Sequence, residues 1–408
     1  MGVNDEMNIL VVSQYYFPEQ FRINDICEQL VRDGNSVTVL TGLPNYPTGK
    51  VPNEYRCGRK RKEDINGVKV VRCFEIGRRS GAVGMALNYL SYMISASIRA
   101  LFLEKCFDII FVYQMSPVTM ALPAIIMKRR SRKPLYLYSC DIWPESIKNI
   151  ISNENNFIYK MINKFSTYIY SNCDGIAVTS KPFIEYFKQE HSIPIERLSY
   201  IPQHAEDVYL EMDFTPVDDV IDFVFMGNIG IAQDIECIID ATEKIKHMTK
   251  FKIHFVGDGS YLEKSKTLVK ERGLEHIILF HGRHSLEEMT QFYKLADACI
   301  LTLKAENLVG LTMPSKLQGY MAAGKAVIGA INGAAQEVIN ESFCGICVNA
   351  SDSVALSEVM KDFIESPHKY KECGENGKRY FITHFTKMKY MEKLESELNK
   401  LVRGQKNV

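Results

Sequence analysis

Short runs of β-branched and aromatic residues alternate with amphipathic stretches along the whole chain. Continuous apolar runs of this kind are typical of parallel strands that are buried on both faces. The first half contains six predicted strands: Asn8–Ser13, Ser36–Thr41, Val68–Cys73, Asp108–Tyr113, Pro134–Ser139 and Gly175–Ser180. The pattern then restarts with five more: Ile221–Gly227, Phe251–Gly257, Ile277–Gly282, Ala298–Leu303 and Ala326–Ala330. The sequence therefore predicts an α/β protein with two doubly wound, Rossmann-like domains.

A polar, proline-containing stretch, Pro202–Asp219, separates the two series of strands. We predict an N-terminal domain over residues 1–205, a C-terminal domain over 206–385 and a final helix over 386–408 that packs back toward the N-terminal domain. Ligands of open parallel sheets bind beyond the carboxyl ends of the strands, so the loops that follow each strand are the candidate sites.

The composition is that of an ordinary globular protein, with 408 residues, 46% of them hydrophobic, and 49 basic against 49 acidic side chains. It excludes a disordered or fibrous chain, and the zero net charge argues against a nucleic-acid partner. Residues 1–204 nevertheless hold 25 basic and 19 acidic side chains, with basic runs at Arg56–Lys62 and Lys128–Lys133. Two interpretations stay open: solvated loops, or contact with an anionic membrane surface.

Other features place the protein in the cytosol. The 11 cysteines form no disulfide framework, and the N-terminus shows no signal-peptide pattern, so we expect a reducing compartment. Cys344 and Cys347 lie in an apolar, strand-like run and are predicted to be buried thiols. The apolar segment Val83–Leu103 is interrupted by Asn88 and Arg99, which favours a core helix over a membrane span. An in-plane membrane contact through this helix stays open.

The loop after the first predicted strand, Gln14–Gln20, leads into a helix that begins near Phe21. Arg22 lies in the first turn, where backbone N–H groups and the helix dipole favour an anion. The alternative is that Arg22 pairs with Glu19 or Asp25. The loop lacks the glycines of the dinucleotide fingerprint, which argues against a nicotinamide-dependent oxidoreductase.

An acidic loop follows the fifth predicted strand. Asp141 and Glu145 lie there beside Trp143, the one tryptophan of the chain. A carboxylate at this position can orient or deprotonate a substrate hydroxyl, so we predict both as catalytic. The alternative is that Asp141 caps the following turn and Trp143 belongs to the core.

Three loops after successive strands of the second half carry residues suited to a nucleotide. Asn228 and Gln233 follow the first of these strands, Gly257 allows a tight turn after the second, and Arg283 follows the third. The planar guanidinium of an arginine matches the geometry of a phosphate. Each loop is weak evidence alone, but three in register indicate a nucleotide site.

The most informative segment is Leu303–Ala330, in which a strand, a loop carrying Glu306 and a short helix follow one another. Lys316 in the first helical turn opposes the helix dipole unless an anion is present, so it is predicted to bind a diphosphate. The predicted helix ends are marked by Thr312, Pro314, Ser315 and Gly324.

The sequence shows no DxD motif and no histidine spacing typical of a metal site. We therefore expect a metal-independent site, with no cofactor and no metal ion.

Five blocks in family order resemble the retaining glycosyltransferases of family 4, which have the GT-B fold with a cleft between two Rossmann-like domains. Within this family, the five blocks are most similar to the bacterial subgroup that acts in capsule, O-antigen and colanic-acid assembly. Some members of that subgroup transfer N-acetyl-L-fucosamine. The blocks are QYYFPEQFRINDICEQL, LTGLPNYPTGK, DIWPES, GNIGIAQD and MPSKLQGYMAAGKAVIGA.

The resemblance implies a nucleotide-sugar donor, with UDP the expected nucleotide, on the C-terminal domain. It implies a lipid-linked saccharide acceptor on the N-terminal domain, at the cytoplasmic face of the cell membrane. Arg22, Ser315 and Lys316 would stabilise the leaving diphosphate.

The chain departs from the family pattern at several positions. Asn228 and Gln233 stand where many members have an arginine and a lysine. The two glutamates of the family are not preserved at their usual spacing. Glu306, in a loop that is several residues longer, could stand for the first, and the resemblance would make it a third catalytic carboxylate. The second falls at Gly319, with Gln318 beside it as a candidate donor contact. These changes keep two other functions open: a nucleotide-sugar 2-epimerase on the same fold, and a non-catalytic nucleotide-sugar or glycan-binding subunit.

Overall fold

The computed structural model describes residues 6–79, 81–148, 151, 153–205, 207–212, 219–285, 287–304 and 310–406. The chain divides into two compact units. Unit 1 comprises Met1–Ile201 together with Met391–Val408, and unit 2 comprises Pro202–Tyr390.

Unit 1 is built on an eight-stranded sheet of order β3-β4-β2-β1-β5-β6-β7-β8, in which only the β3–β4 pair is antiparallel. The strand order reverses at β1: β2, β4 and β3 lie on one side of it, and β5 to β8 lie on the other side. The strands are β1 (Asn8–Val12), β2 (Ser36–Thr41), β3 (Lys62–Ile65), β4 (Val68–Arg72), β5 (Ile109–Gln114), β6 (Leu135–Ser139), β7 (Gly175–Val178) and β8 (Leu198–Tyr200). The helices are α1 (Arg22–Arg32), α2 (Gly81–Phe102), α3 (Leu122–Ser131), α4 (Phe157–Ser171) and α5 (Lys181–His191).

Unit 2 is built on a six-stranded parallel sheet of order β11-β10-β9-β12-β13-β14. The strands are β9 (Ile221–Met226), β10 (Phe251–Val256), β11 (Ile278–Gly282), β12 (Ala298–Thr302), β13 (Ala326–Ala330) and β14 (Gly345–Val348). The helices are α6 (Ile235–Lys244), α7 (Leu262–Glu271), α8 (Met289–Leu295), α9 (Ser315–Ala322), α10 (Ala334–Ser342), α11 (Ser353–Glu365) and α12 (Lys371–His384). A hydrophobic cluster covers each face of this sheet.

The last helix, α13 (Lys387–Lys406), contains the unit boundary between Tyr390 and Met391. Its first turn belongs to unit 2 and the rest to unit 1. Within unit 1 the buried side chains of Leu394 and Leu398 hold it in place.

All eleven predicted strands are present, and no strand end differs from its predicted position by more than two residues. The described residues contain three further strands that were not in the two predicted series. β3 and β8 were missed because they are short, charged or polar, and only half-buried, so their apolar signal is weak. β14 contains Cys347, and Cys344 lies just before it. Cys344 is buried as expected, whereas Cys347 is only partly buried, so the prediction of two buried thiols holds for one of them.

The helix predicted over Val83–Leu103 is present as α2, but its interpretation as a core helix is wrong. Its buried side is narrow and made mostly of small residues: Gly84, Asn88, Tyr92, Ala96 and Ala100. We call its large exposed residues the apolar stripe, which consists of Val83, Leu87, Leu90, Ile94, Ile98, Leu101 and Phe102. No helix of the described residues combines the length and the hydropathy needed to cross a bilayer.

The two basic runs differ in structure. Lys128–Lys133 is the end of α3 rather than a solvated loop: Lys128 forms an ion pair with Asp174 at 2.7 Å, and Arg130 donates to the backbone carbonyl of Leu103 at 3.1 Å. These contacts tie α3 to its neighbours. Arg56–Lys62 lies mostly in an exposed turn before β3, as the solvated-loop interpretation expects.

Candidate functional site

The sheet of unit 2 opens between β9 and β12, where strand order reverses. The two strands pair only as far as Val224 and Cys299. Beyond that point the hydroxyl of Tyr320, from α9, accepts from the backbone N–H of Met226 at 3.0 Å and lies 3.4 Å from the carbonyl of Ile300. Such a reversal is where open α/β sheets bind their ligands.

Helix α9 begins beside this opening. Its N-cap is Pro314, in an extended conformation, and no side chain of the described residues caps its first N–H groups. The capping hydroxyls predicted at Thr312 and Ser315 therefore do not cap. Gly324 follows the helix with a φ of +65°, as its predicted terminating role requires. The uncapped N–H groups of the first turn are suited to an anion.

Lys316 lies one helical turn before Tyr320 on the same helix. Its Nζ is 3.7 Å from the ring centroid of Phe225 on β9, and it is buried without a hydrogen-bond partner among the described residues. Gly227 leaves the space for this side chain, because a Cβ there would lie 2.8 Å from the Cε of Lys316.

Burial lowers the pKa of Lys316 to about 7, and desolvation is the cause. An unpaired ammonium group in a low-dielectric environment is unfavourable, so the amine loses its proton more easily than in water. A negative group next to it would reverse this effect. The geometry thus places a basic side chain at a helix N-terminus, where a negatively charged ligand can bind.

Two glycines keep the neighbouring loops in backbone contact. A Cβ at Gly257, whose φ is +148°, would lie 1.8 Å from the carbonyl oxygen of Gly227, and a Cβ at Gly259 would lie 2.3 Å from that of Ile229. The N–H of Ile229 donates to the carbonyl of Asp258 at 2.9 Å. Side chains larger than hydrogen cannot be accommodated here unless the loops move apart.

The structure brings Asn228 and Gln233 together. The Nδ2 of Asn228 donates to the Oε1 of Gln233 at 3.1 Å, and the backbone carbonyl of Gln233 accepts from the hydroxyl of Thr302 on β12. A pair of neutral amides therefore lies in the loop after β9. Amides can donate to a phosphate or to a sugar hydroxyl, but they add no charge.

The other predicted donor residues of unit 2 have different surroundings. Arg283 is exposed after β11, which is the edge strand, two strands away from β9. Gln318 is buried, and its amide donates to the backbone carbonyl of Gln203. Glu306 lies outside the described residues, so its catalytic role stays a prediction.

In unit 1, Arg22 is the first residue of α1 and is half-buried. The loop before it is fixed by Glu19, whose Oε1 accepts from the N–H groups of Asn45 and Tyr46 at 2.6 and 2.5 Å. The predicted contact between Arg22 and a diphosphate stays a prediction.

Asp141 and Glu145 both have close polar partners. Asp141 accepts from the hydroxyls of Ser116 and Ser146. Glu145 forms an ion pair with Lys148 at 2.5 Å and accepts from the hydroxyl of Tyr159 at 3.0 Å. The ring of Trp143 is buried, as the structural alternative expects. These contacts favour a structural role for both carboxylates, and their catalytic role stays a prediction.

The described residues contain no group of three or more His, Cys, Asp or Glu side chains that could hold a metal ion.

Sequence reasoning missed Gly227 and Tyr320, which build the opening around Lys316. Tyr320 could have been found from its position one turn after Lys316.

One known family matches the part of the chain that contains Lys316 and the glycine loops. Residues 213–380 match the family described as "Glycosyl transferases group 1". This match covers less than half of the chain, and it lies within unit 2. The matched range contains Lys316, the glycines at 257 and 259, and both amides of the loop after β9.

Two relatives are similar to this chain over longer stretches than the family match. "Probable glycosyltransferase WbjE" of Pseudomonas aeruginosa is 26% identical over 237 residues, which cover 55% of this chain and 58% of that protein. The chain thus spans little more than half the length of this relative. "Putative colanic acid biosynthesis glycosyl transferase WcaI" of Escherichia coli K12 is 22% identical over 365 residues, or 84% of this chain and 88% of that protein.

A solved structure shares the fold of this chain. Anabaena Alr3699/HepE in complex with UDP-glucose superposes with a TM-score of 0.65 at 14% identity, covering 98% of this chain and all of that one. The predicted fold class, two Rossmann-like bodies of the GT-B type, is confirmed.

Proposed function

We propose that the protein is a retaining glycosyltransferase that moves a sugar from UDP to a lipid-linked saccharide during assembly of a bacterial surface polysaccharide. The single observation that carries this proposal is Lys316, a buried amine without a hydrogen-bond partner among the described residues, at the uncapped N-terminus of α9. The domain match supports the reaction class. The names of WbjE and WcaI support the pathway, and an N-acetylated deoxyamino sugar stays a candidate donor sugar.

In the proposed site the donor diphosphate lies between the first turn of α9 and the glycine loops after β9 and β10. Lys316 and the N–H groups of Ser315 and Lys316 stabilise the negative charge that grows on the leaving diphosphate. Asn228 and Gln233 orient the donor by hydrogen bonds, and Gly257 leaves room for it. The UDP-glucose complex of the HepE structure supports the choice of nucleotide.

We further propose that no metal ion takes part, because a cation and helix N–H groups of the chain itself lie where the diphosphate is placed. The acceptor lipid places the reaction at the cytoplasmic face of the cell membrane, where the protein binds peripherally.

The first test is thermal unfolding with excess UDP, GDP and ADP in turn, with and without EDTA. A ligand at 100 times its dissociation constant adds about 2.7 kcal/mol to the stability of the state that binds it. We expect a shift with UDP that EDTA leaves unchanged, and smaller shifts with GDP and ADP. If no nucleotide raises the melting temperature, the donor site is not intact and the proposal fails. A shift that EDTA removes would overturn the metal-independent mechanism alone.

The affinity for UDP is expected to fall as the pH rises above 7. The lowered pKa of Lys316, about 7, means that the ligand-free amine deprotonates there, whereas the bound diphosphate restores its proton. Binding then takes up a proton, and the dissociation constant rises roughly tenfold between about pH 7 and 8.5. The terminal phosphate of UDP keeps its charge over this range, since its last pKa is about 6. Calorimetric titration in buffers of different ionisation enthalpy measures the proton uptake. A flat profile would contradict contact between Lys316 and the diphosphate.

A further inference from the structure

Unit 1 contains a cavity of about 900 Å³ beside the edge strands β3 and β4. Five basic side chains line it: Lys50, Arg56, Arg61, Arg78 and Arg79. We call this cavity the basic pocket. Among the described residues none of the five forms an ion pair, in contrast to Lys60 and Arg72 nearby, which pair with Glu54 and Glu63. The basic pocket therefore carries an excess of positive charge.

The one acidic side chain in its wall does not offset this charge. Glu75 lines the basic pocket but is almost fully buried, and burial raises its pKa to about 8. Its Oε1 accepts from the side-chain amides of Gln14 and Asn88 at 2.8 and 2.5 Å. Because Glu75 holds its proton near pH 7, the basic pocket favours an anion with several negative charges.

The wall of the basic pocket is built from closely packed backbone. A Cβ at Gly49, whose φ is +72°, would lie 1.9 Å from the carbonyl oxygen of Arg78. The N–H of Arg78 donates to the Oδ1 of Asn45 at 2.9 Å. These contacts fix the chain that carries Arg78 and Arg79, so their side chains are presented from a defined position.

A groove of about 510 Å³ continues from the basic pocket, and the two cavities share Arg61 and Phe74. Its wall combines apolar side chains with the basic residues Lys62, Arg72 and Arg99. The groove also contains Ile98 and Phe102, the last turn of the apolar stripe of α2. The exposed fractions of the Phe74, Ile98 and Phe102 side chains are 56%, 54% and 76%. A charged cavity thus passes directly into an apolar surface that extends for about 28 Å along the helix.

We propose that the basic pocket and the groove together bind the phosphorylated lipid of the acceptor. The phosphate groups lie among the five basic side chains, and the hydrocarbon chain lies in the groove and along the apolar stripe. This inference rests on the proposed function, since it assigns the lipid part of that acceptor. Five cations in one cavity suit a diphosphate better than a bilayer phospholipid, which carries a single phosphate charge and stays at the membrane surface.

Two pairs of variants test the two halves of the site. Arg61→Gln removes a charge from the basic pocket, and Arg59→Gln removes the same charge from an exposed neighbour that lines neither cavity. Ile98→Gln changes the groove, and Ile195→Gln is its control, with an exposed fraction of 53% beside the opposite edge strand, β8.

The probes are farnesyl diphosphate, inorganic diphosphate and vesicles of phosphatidylglycerol, and binding of UDP to each variant is measured on the same samples. We expect farnesyl diphosphate to bind at least tenfold more tightly than inorganic diphosphate, because its chain adds apolar contact. Arg61→Gln and Ile98→Gln should each weaken farnesyl diphosphate binding about tenfold, and the two controls less than twofold.

Three results would overturn the inference: equal affinity for farnesyl and inorganic diphosphate, equal losses in test and control variants, or competition of phosphatidylglycerol vesicles for the site at equal lipid concentration. The last result would assign the surface to membrane docking. If these occur while UDP still binds, the proposed function stands without this lipid site. If UDP fails to bind and farnesyl diphosphate binds as described, the lipid site stands and the donor assignment fails.

Discussion

Replacing Lys316 by methionine is expected to raise the melting temperature of the ligand-free protein while weakening UDP binding about a hundredfold. The buried, unpaired amine destabilises unit 2 when no anion is present. Methionine has a similar length and can contact the Phe225 ring through its sulfur, so removing the charge should stabilise the protein by roughly 2–4 °C. Loss of the cation next to a desolvated diphosphate costs about 2–5 kcal/mol of binding. Thermal unfolding and calorimetric titration of the same preparation measure both effects.

Lys325 provides the matched control for this experiment. It is also a buried lysine of unit 2, but its Nζ donates to the backbone carbonyl of Ala296 at 2.6 Å. Lys325→Met should therefore lower the melting temperature and leave the affinity for UDP within twofold of that of the wild type. If Lys316→Met also lowers stability and keeps its UDP affinity, Lys316 is a structural residue and its assignment to the donor site is wrong.

Replacing Gly257 by alanine is expected to destabilise unit 2 by about 3 kcal/mol or more and to abolish the UDP-induced shift. The new Cβ would have to occupy a positive φ and would also meet the Gly227 carbonyl oxygen at 1.8 Å. Because that neighbour is backbone rather than a flexible side chain, relief requires the loops after β9 and β10 to separate. These are the loops between which we place the diphosphate.

The comparison with Gly282 separates steric overlap from backbone strain. Gly282 ends β11 with a φ of +75°, yet a Cβ there would meet nothing within 4 Å. Gly282→Ala should lower the stability by only about 1 kcal/mol and leave UDP binding intact. Equal destabilisation by the two alanines would show that the contact with Gly227 does not hold these loops together.

The α/β class and the strand positions could be predicted because the buried strands of both sheets are continuous apolar runs. The same rule failed for β3 and β8, which are short and carry charged or polar residues at the edge of the sheet of unit 1. It also misassigned α2. Apolar residues predict burial only on average, and here the large aliphatic ones lie on the exposed side, while Gly84, Ala96 and Ala100 lie on the buried side together with Asn88 and Tyr92.

The candidate site was predictable in part. A lysine in the first turn of a helix is unfavourable unless an anion is present, and this argument selected Lys316 from the sequence alone. The burial of the Lys316 amine agrees with it. Asp141 and Glu145 were selected by the same kind of argument from position after a strand. Two of their partners, Ser146 and Lys148, are close in the sequence, but Ser116 and Tyr159 reach these carboxylates only in the folded chain. The position of a carboxylate after a strand does not show such contacts.

The packing of α2 reverses the usual rule for which positions of a helix tolerate change. Its leucines and isoleucines contribute little to the core, whereas Gly84, Ala96 and Ala100 allow close approach to neighbouring structure. Polar replacements along the apolar stripe should consequently yield a protein that folds normally and resists aggregation better than the natural chain. In such a variant the donor site that we propose in unit 2 could be studied without interference from the exposed apolar stripe.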